Sequence, residues 1–179
     1  WSFMDKKLIK AIVGLVILIG LYITNNSVQN NYFSKSSSFF NIDEKNILKI
    51  VVSSNQDAIE LMKVDSSWVI SGNDTLIVKE AVIENLFNKM EDLEKEHLVT
   101  SKKDNWINYG VTDANGTHLA FINLDGKTVA YYVFGQSKEE YNRCYVRTDQ
   151  DYDVHLLNSN ILYQLQVSPF FWGTKVATE

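Results

Sequence analysis

Residues Leu8–Thr24 read LIKAIVGLVILIGLYIT, and no charged side chain follows Lys10 within them. This is the one membrane-length stretch in an otherwise polar chain. From Ala11 to Ile23 a helix covers about 20 Å at about 1.5 Å per residue, against roughly 30 Å for a bilayer core. The deficit closes if the helix starts near Leu8 and Lys6, Lys7 and Lys10 extend their ammonium groups to the headgroups. Trp1 and Phe3 suit the interfacial belt. Three lysines precede the span and no cation follows until Lys35, so the positive-inside bias places the N-terminus in the cytoplasm and the bulk of the chain outside it. A basic segment with a short apolar core also fits a cleaved signal peptide. No small-x-small site follows the core, however, and no Cys follows it for lipid attachment. The expectation is a retained signal anchor that contacts the bilayer through residues 8–24.

The expected organisation is a cytoplasmic tip and anchor over residues 1–24, an Asn/Ser-rich tether over 25–45, and one extracytoplasmic domain over 46–179. Net charge is −5; residues 1–24 hold Lys6, Lys7 and Lys10 against Asp5, so the remainder carries −7. An acidic domain of this kind disfavours nucleic acid and anionic lipid as main partners. Cys144 is the only cysteine, which excludes an intrachain disulfide and a Cys-rich metal site. Two aromatic pairs interrupt the tether, Tyr32-Phe33 and Phe39-Phe40. A solvated linker has no use for them, so they either pack locally or meet a partner.

The domain opens with β-branched Ile47–Ser53. Ala58–Val64 and Ser67–Ser71 read as further strands. The period then becomes helical, with Val82, Ile83, Leu86, Phe87, Met90 and Leu93 on one face, predicting a helix over Lys79–Glu94. His97–Ser101 reads as a strand, and Asn105–Tyr109 as a helical turn ended by Gly110. Thr117–Leu124 and Lys127–Phe134 form a hairpin at Asp125-Gly126, a pair suited to a type I′ turn. Both faces of these two strands are apolar, which predicts the middle of a sheet. Arg143–Thr148 and Val154–Leu157 complete the strands. Ser159 is the expected cap of a last helix, Asn160–Val167, ended by Pro169. The predicted class is α+β: a mostly antiparallel sheet with helices on one face, preceded by one transmembrane helix.

The order Ser67-Trp68-Val69-Ile70, then Asn85-Leu86 and Leu93, then Asn108-Tyr109-Gly110-Val111, the Asp125-Gly126 hairpin, Arg143-Cys144-Tyr145-Val146 and Val154-His155-Leu156-Leu157 resembles the bacterial domain-of-unknown-function family 4340. The resemblance covers about Asn46 to Pro169. One departure is Thr112-Asp113-Ala114, where the family places a Pro after its Tyr-Gly-Leu. The resemblance implies an extracytoplasmic accessory role on a bacterial cytoplasmic membrane, in many cases beside a gliding-type ABC transporter. It carries over no catalytic residue.

The remaining residues advertise little chemistry. His97, His118 and His155 are scattered and never at i, i+4 spacing. Asp149, Asp151 and Asp153 alternate as in a calcium loop, but Val154 and Asn160 stand where that loop needs Gly and Glu. Cys144 has no neighbouring base. Asn25, Asn73 and Asn115 open Asn-x-Ser/Thr sequences that matter only in a glycosylating host. No catalytic residue, cofactor or metal is therefore expected. Trp106 and Tyr109 are expected to seal the core. Phe170, Phe171 and Trp172 are favoured as a partner or membrane contact, together with Tyr32, Phe33, Phe39 and Phe40. The expected function is a non-catalytic single-span subunit that stabilises or regulates a complex of integral membrane proteins, transporter-associated by resemblance. The alternative is a domain that binds a small ligand or a cell-envelope polymer.

Overall fold

In the computed structural model the described residues are Phe40 and 42–175. The expected span at 8–24, and Tyr32, Phe33 and Phe39 of the tether, lie outside them. Among the described residues no helix is long and apolar enough to cross a membrane. The compact unit that holds the described residues begins at Phe40, ahead of the expected boundary at residue 46. Phe40 is 1% exposed and its ring lies 5.4 Å from that of Tyr132, so the end of the expected tether belongs to the core.

The strands are β1 (Ile47–Ser54), β2 (Asp57–Val64), β3 (Ser67–Ile70), β4 (Leu76–Val78), β5 (Lys95–Thr100), β6 (Thr117–Asn123), β7 (Thr128–Gln136), β8 (Cys144–Thr148), β9 (Val154–Leu157) and β10 (Gly173–Lys175). Helix α1 spans Glu80–Glu91, and a short α2 spans Pro169–Trp172. Eight strands make one sheet in the order β3-β2-β1-β6-β7-β8-β9-β5, antiparallel at every pairing; β10 and β4 form a separate two-stranded ribbon. This is the antiparallel α+β architecture read from the sequence, with the two-sided β6 and β7 at its middle.

The Asp125-Gly126 turn and the helix ends differ from expectation. The type I′ geometry, which needs positive φ at both central residues, occurs at Asn55-Gln56 (φ 52° and 74°) and Asp65-Ser66 (φ 47° and 72°). At Asp125-Gly126 only Gly126 is left-handed, at φ 76°. There the Asn123 side chain accepts from the amides of Asp125 and Lys127 (3.1 and 2.9 Å), and the backbone pair Asn123–Lys127 closes a three-residue loop with a glycine bulge. Helix α1 stops at Glu91 because Asn158 takes over its end: its amide group donates to Asp92 O at 3.0 Å and its Oδ1 accepts from Glu94 N at 3.0 Å. The expected helix at Asn160–Val167 is a single 3-10 turn, Leu162–Gln164. Pro169 does not end a helix; it opens α2, since a proline lacks only the N–H that the first helical turn leaves unbonded.

Alternation along the strands sorts the core onto two faces. Tyr132 and Phe134 of β7 share the first face with Leu119 and Phe121 of β6 and Val146 of β8. Helix α1 covers that face with Ile83, Leu86 and Met90, and Phe87 meets Phe121 at 5.6 Å between centroids. The second face carries a smaller core of Trp106, Val111, Val133 and Val154, bordered by Val99, Tyr109, Tyr131 and Tyr145. It is covered by a 3-10 segment, Lys103–Tyr109, that ends at Gly110 with φ 65°, and by the loop that follows. The cover sits very close to the sheet. A Cβ on Gly135 of β7 would lie 2.0 Å from Tyr109 O, and one on Gly116 would lie 2.2 Å from Val133 Cγ1.

That approach makes Gly135 a fixed point of the fold. Gly135→Ala forces backbone apart and is expected to cost about 3 kcal/mol, the upper range for overpacking. Gly126→Ala meets open space and incurs only the left-handed penalty of about 1 kcal/mol. Urea unfolding midpoints of the two variants check the contrast; equal losses would remove Gly135 from this role.

Candidate functional site

A buried polar cluster lies on the second face. Arg147 interrupts the apolar run of β8, pairs in register with Val133, and is only 4% exposed. Its Nε donates to Val111 O at 2.6 Å, Nη1 to Thr148 O at 3.3 Å, and Nη2 to the Asp113 carboxylate. The guanidinium carbon stands 4.0 Å from the centroid of the Trp106 ring, and the indole N–H is itself bonded to Tyr152 O at 3.1 Å. A buried cation is tolerated only when its donors are satisfied, and here each guanidinium nitrogen has an acceptor. The Asp113 side chain is 79% exposed and stays hydrated.

His118 extends this cluster across β6 and β7. Its Nε2 lies 3.1 Å from Asp113 O and its Nδ1 2.5 Å from the Tyr131 hydroxyl. A carbonyl can only accept, so Nε2 carries the proton and Nδ1 accepts from the phenol. Burial pulls the His118 pKa below its ordinary value, and Arg147 acts in the same direction, against the bond to the Asp113 carbonyl and the charge of its carboxylate. Burial raises the Tyr131 pKa, opposed by Arg147. Chemically the group is a clamp: both imidazole nitrogens and all three guanidinium nitrogens are committed to the chain, and together they fasten residues 111–113 to the sheet.

The residues singled out from the sequence separate. Phe40 is in the core. Trp172 is 0% exposed, and its Nε1 donates to Gln166 O at 2.6 Å while its carbonyl accepts from Lys79 N at 2.8 Å. A side chain without accessible surface cannot meet a partner, so neither residue is a contact group. Phe171 is half-buried, edge-on to Trp172 at 5.1 Å. Phe170 is 62% exposed, with Lys175 Nζ 6.0 Å from its ring. One turn of helix places successive side chains about 100° apart, which spreads the three aromatics from core to solvent. Trp106 is buried in the second-face core with Tyr109 packed against it, and Tyr109 also meets Tyr145 edge-on at 4.9 Å.

His97, His118 and His155 lie on β5, β6 and β9, and among the described residues no group of three or more His, Cys, Asp or Glu is placed to hold a metal ion. Asp151 accepts from Asp153 N at 3.1 Å in a local turn. Burial lowers the pKa of the nearby Lys95, partly offset by Asp151 and Asp153. Arg143 pairs with Glu96 at 2.9 Å, and its Nε approaches Glu140 at 3.1 Å without hydrogen-bond alignment. The Cys144 thiol is buried, donates to Ser159 O at 3.5 Å, and is pushed up to about 12 by burial. Sequence reasoning passed over the Arg147 cluster, although one signal was present: a lone arginine directly after the apolar run Cys144-Tyr145-Val146, within the same strand.

Two outcomes follow from this geometry. Arg147→Met strips Val111 O of a charge-assisted bond and is expected to destabilise the fold by about 3 kcal/mol, while Asp113→Asn, at an exposed carboxylate, costs under about 1 kcal/mol; chemical denaturation compares them, and the reverse order would contradict the clamp. Cys144 should react with an alkylating reagent at neutral pH roughly a hundredfold more slowly than in the urea-unfolded chain, as followed by intact mass; equal rates would contradict its burial.

No curated protein and no solved structure gives a significant match to this chain. The model of one family, the domain of unknown function DUF4340, matches residues 68–176, from the tryptophan of β3 to just past β10. The match takes in α1, the Tyr109-Gly110 cover and the Arg147 clamp, and because it spans more than half of the sequence the chain belongs to the DUF4340 family.

Proposed function

We propose that this protein is a non-catalytic accessory subunit, held in a bacterial cytoplasmic membrane by Leu8–Thr24, whose DUF4340 domain lies outside the cytoplasm and stabilises or regulates a larger complex of membrane proteins. The apolar run ahead of the domain is the observation that most supports it: a segment of that length and polarity, with lysines on one flank only, is what a single-span subunit needs. The polar chemistry of the domain is consistent with the same role. Cys144 is buried, and His118 and Arg147 spend their nitrogens on holding a loop. Exposed apolar side chains at Ile77, Ile107, Tyr152, Tyr163 and Phe170 offer surface for protein contacts. A transporter is the proposed partner, on the resemblance of the sequence.

Extraction of the full chain from native membranes in mild detergent, followed by native sizing and identification of co-purifying subunits, tests this. The expected particle is larger than the chain alone and contains a polytopic membrane protein. A monomer at every concentration, or a chain recovered in the soluble fraction with residues 8–24 still attached, would overturn it.

A further inference from the structure

Asn115-Gly116 is the one Asn-Gly pair in the sequence. In an open chain such a pair changes covalently without a catalyst, because a glycine lets its backbone nitrogen approach the preceding side chain. The nitrogen attacks Asn Cγ: the N–Cγ bond forms, the Cγ–Nδ2 bond breaks, and ammonia leaves with the proton of the attacking N–H. Water then opens the cyclic imide at one of its two carbonyls, which leaves aspartate or isoaspartate.

The fold gives the two residues opposite surroundings. Asn115 is exposed, so water reaches its side chain. Gly116 is buried, and its N–H donates to Thr112 O at 2.9 Å, which holds the nitrogen that would attack. Asn115 N turns to the same residue, 3.3 Å from Thr112 O and 3.2 Å from its Oγ1. Thr112 stands between two fastened neighbours: Arg147 takes Val111 O and the Asp113 carboxylate, and His118 takes Asp113 O. The site has no slack, since a Cβ on Gly116 would lie 2.2 Å from Val133 Cγ1 and 2.9 Å from Thr112 O.

We propose that Asn115-Gly116 is a deamidation site shielded by the closed second-face cover, and that its conversion to isoaspartate keeps the cover open. The proposal is independent of what the domain docks onto. To attack, Gly116 N must give up Thr112 O and swing toward Asn115 Cγ, so residues 112–116 have to open locally first. Isoaspartate then routes the main chain through the former side chain and adds one carbon between residues 115 and 116. The longer link cannot return Gly116 N to Thr112 O while Gly116 stays seated against Val133. Ordinary aspartate, by contrast, places a charge at an exposed position and leaves the backbone free to close again.

Incubation of the full chain in mildly alkaline buffer, with peptide mapping across residue 115, tests the shielding. Conversion is expected to run about tenfold or more slower in the folded chain than in the urea-unfolded chain. Equal rates, or an unfolded chain that does not convert, would overturn it. Hydrogen exchange of the isoaspartate form, separated after refolding and compared with Asn115→Asp, tests the consequence. The Gly116 amide is expected to lose about tenfold or more of its protection in the isoaspartate form, with β1 and β2 unchanged, and to keep it in Asn115→Asp. Protection retained in the isoaspartate form, a loss that spreads through β1 and β2, or an equal loss in Asn115→Asp would overturn the proposal.

Discussion

A sheet that is apolar on both faces must be covered twice, and the described residues include one long helix to do it. Helix α1 covers the first face in the ordinary way. The second is covered by a 3-10 segment and an irregular loop, whose carbonyl groups must find donors once water is excluded. Arg147 meets that need. Its guanidinium supplies donors to Val111 O and Thr148 O, and those acceptors, with Asp113 and the Trp106 ring, make burial of the cation tolerable. The contact is further restricted to a backbone with no Cβ at Gly135, because Tyr109 O occupies the place a side chain would take.

This coupling gives physical content to the family's Tyr-Gly element. Tyr109 ends the 3-10 segment with its ring edge-on to Tyr145 and its carbonyl over Gly135. Gly110 then turns left-handed so that Val111 can enter the core. The Pro expected by resemblance after this element is replaced by Thr112-Asp113-Ala114. Here the Asp113 carboxylate meets Arg147, which proline cannot do, while the carbonyl at this position accepts from His118. The loop is held by polar bonds rather than by ring stiffness.

Much of the sheet was legible in the sequence because β-branched runs, the helical period of α1 and the two-sided β6–β7 hairpin are local signals. The turns were less so. Asn55-Gln56 and Asp65-Ser66 adopt left-handed geometry without a glycine, imposed by the two-residue link between paired strands. Asp125-Gly126 looked like the better type I′ turn, but Asn123 captured its amides and lengthened the loop. Pro169 was read as a stop because its sequence neighbours resembled a helix, whereas its missing N–H suits a start. The Arg147 clamp was illegible for another reason: Asp113, His118, Tyr131 and Arg147 are brought together only by the pairing of β6, β7 and β8, and no spacing along the chain announces that.

The family match begins at Trp68, but the sheet does not. Strand β1 lies between β2 and β6, and it supplies Ile50 and Val52 to the first-face core beside Phe121 and Leu119. A fragment cut at the start of the match would leave β6 as a raw edge and expose those side chains to water. The intact sheet has guarded edges instead. Strand β3 is four residues long, and β5 carries Lys95 and Glu96 and breaks its register with β9 twice. Short, charged and bulged edges are poor templates for an added strand. A protein partner would therefore be met by faces and loops, where Ile107 and Tyr152 stand exposed on the border of the second-face cover. These exposed side chains and the segment held by His118 thus belong to the same side of the domain.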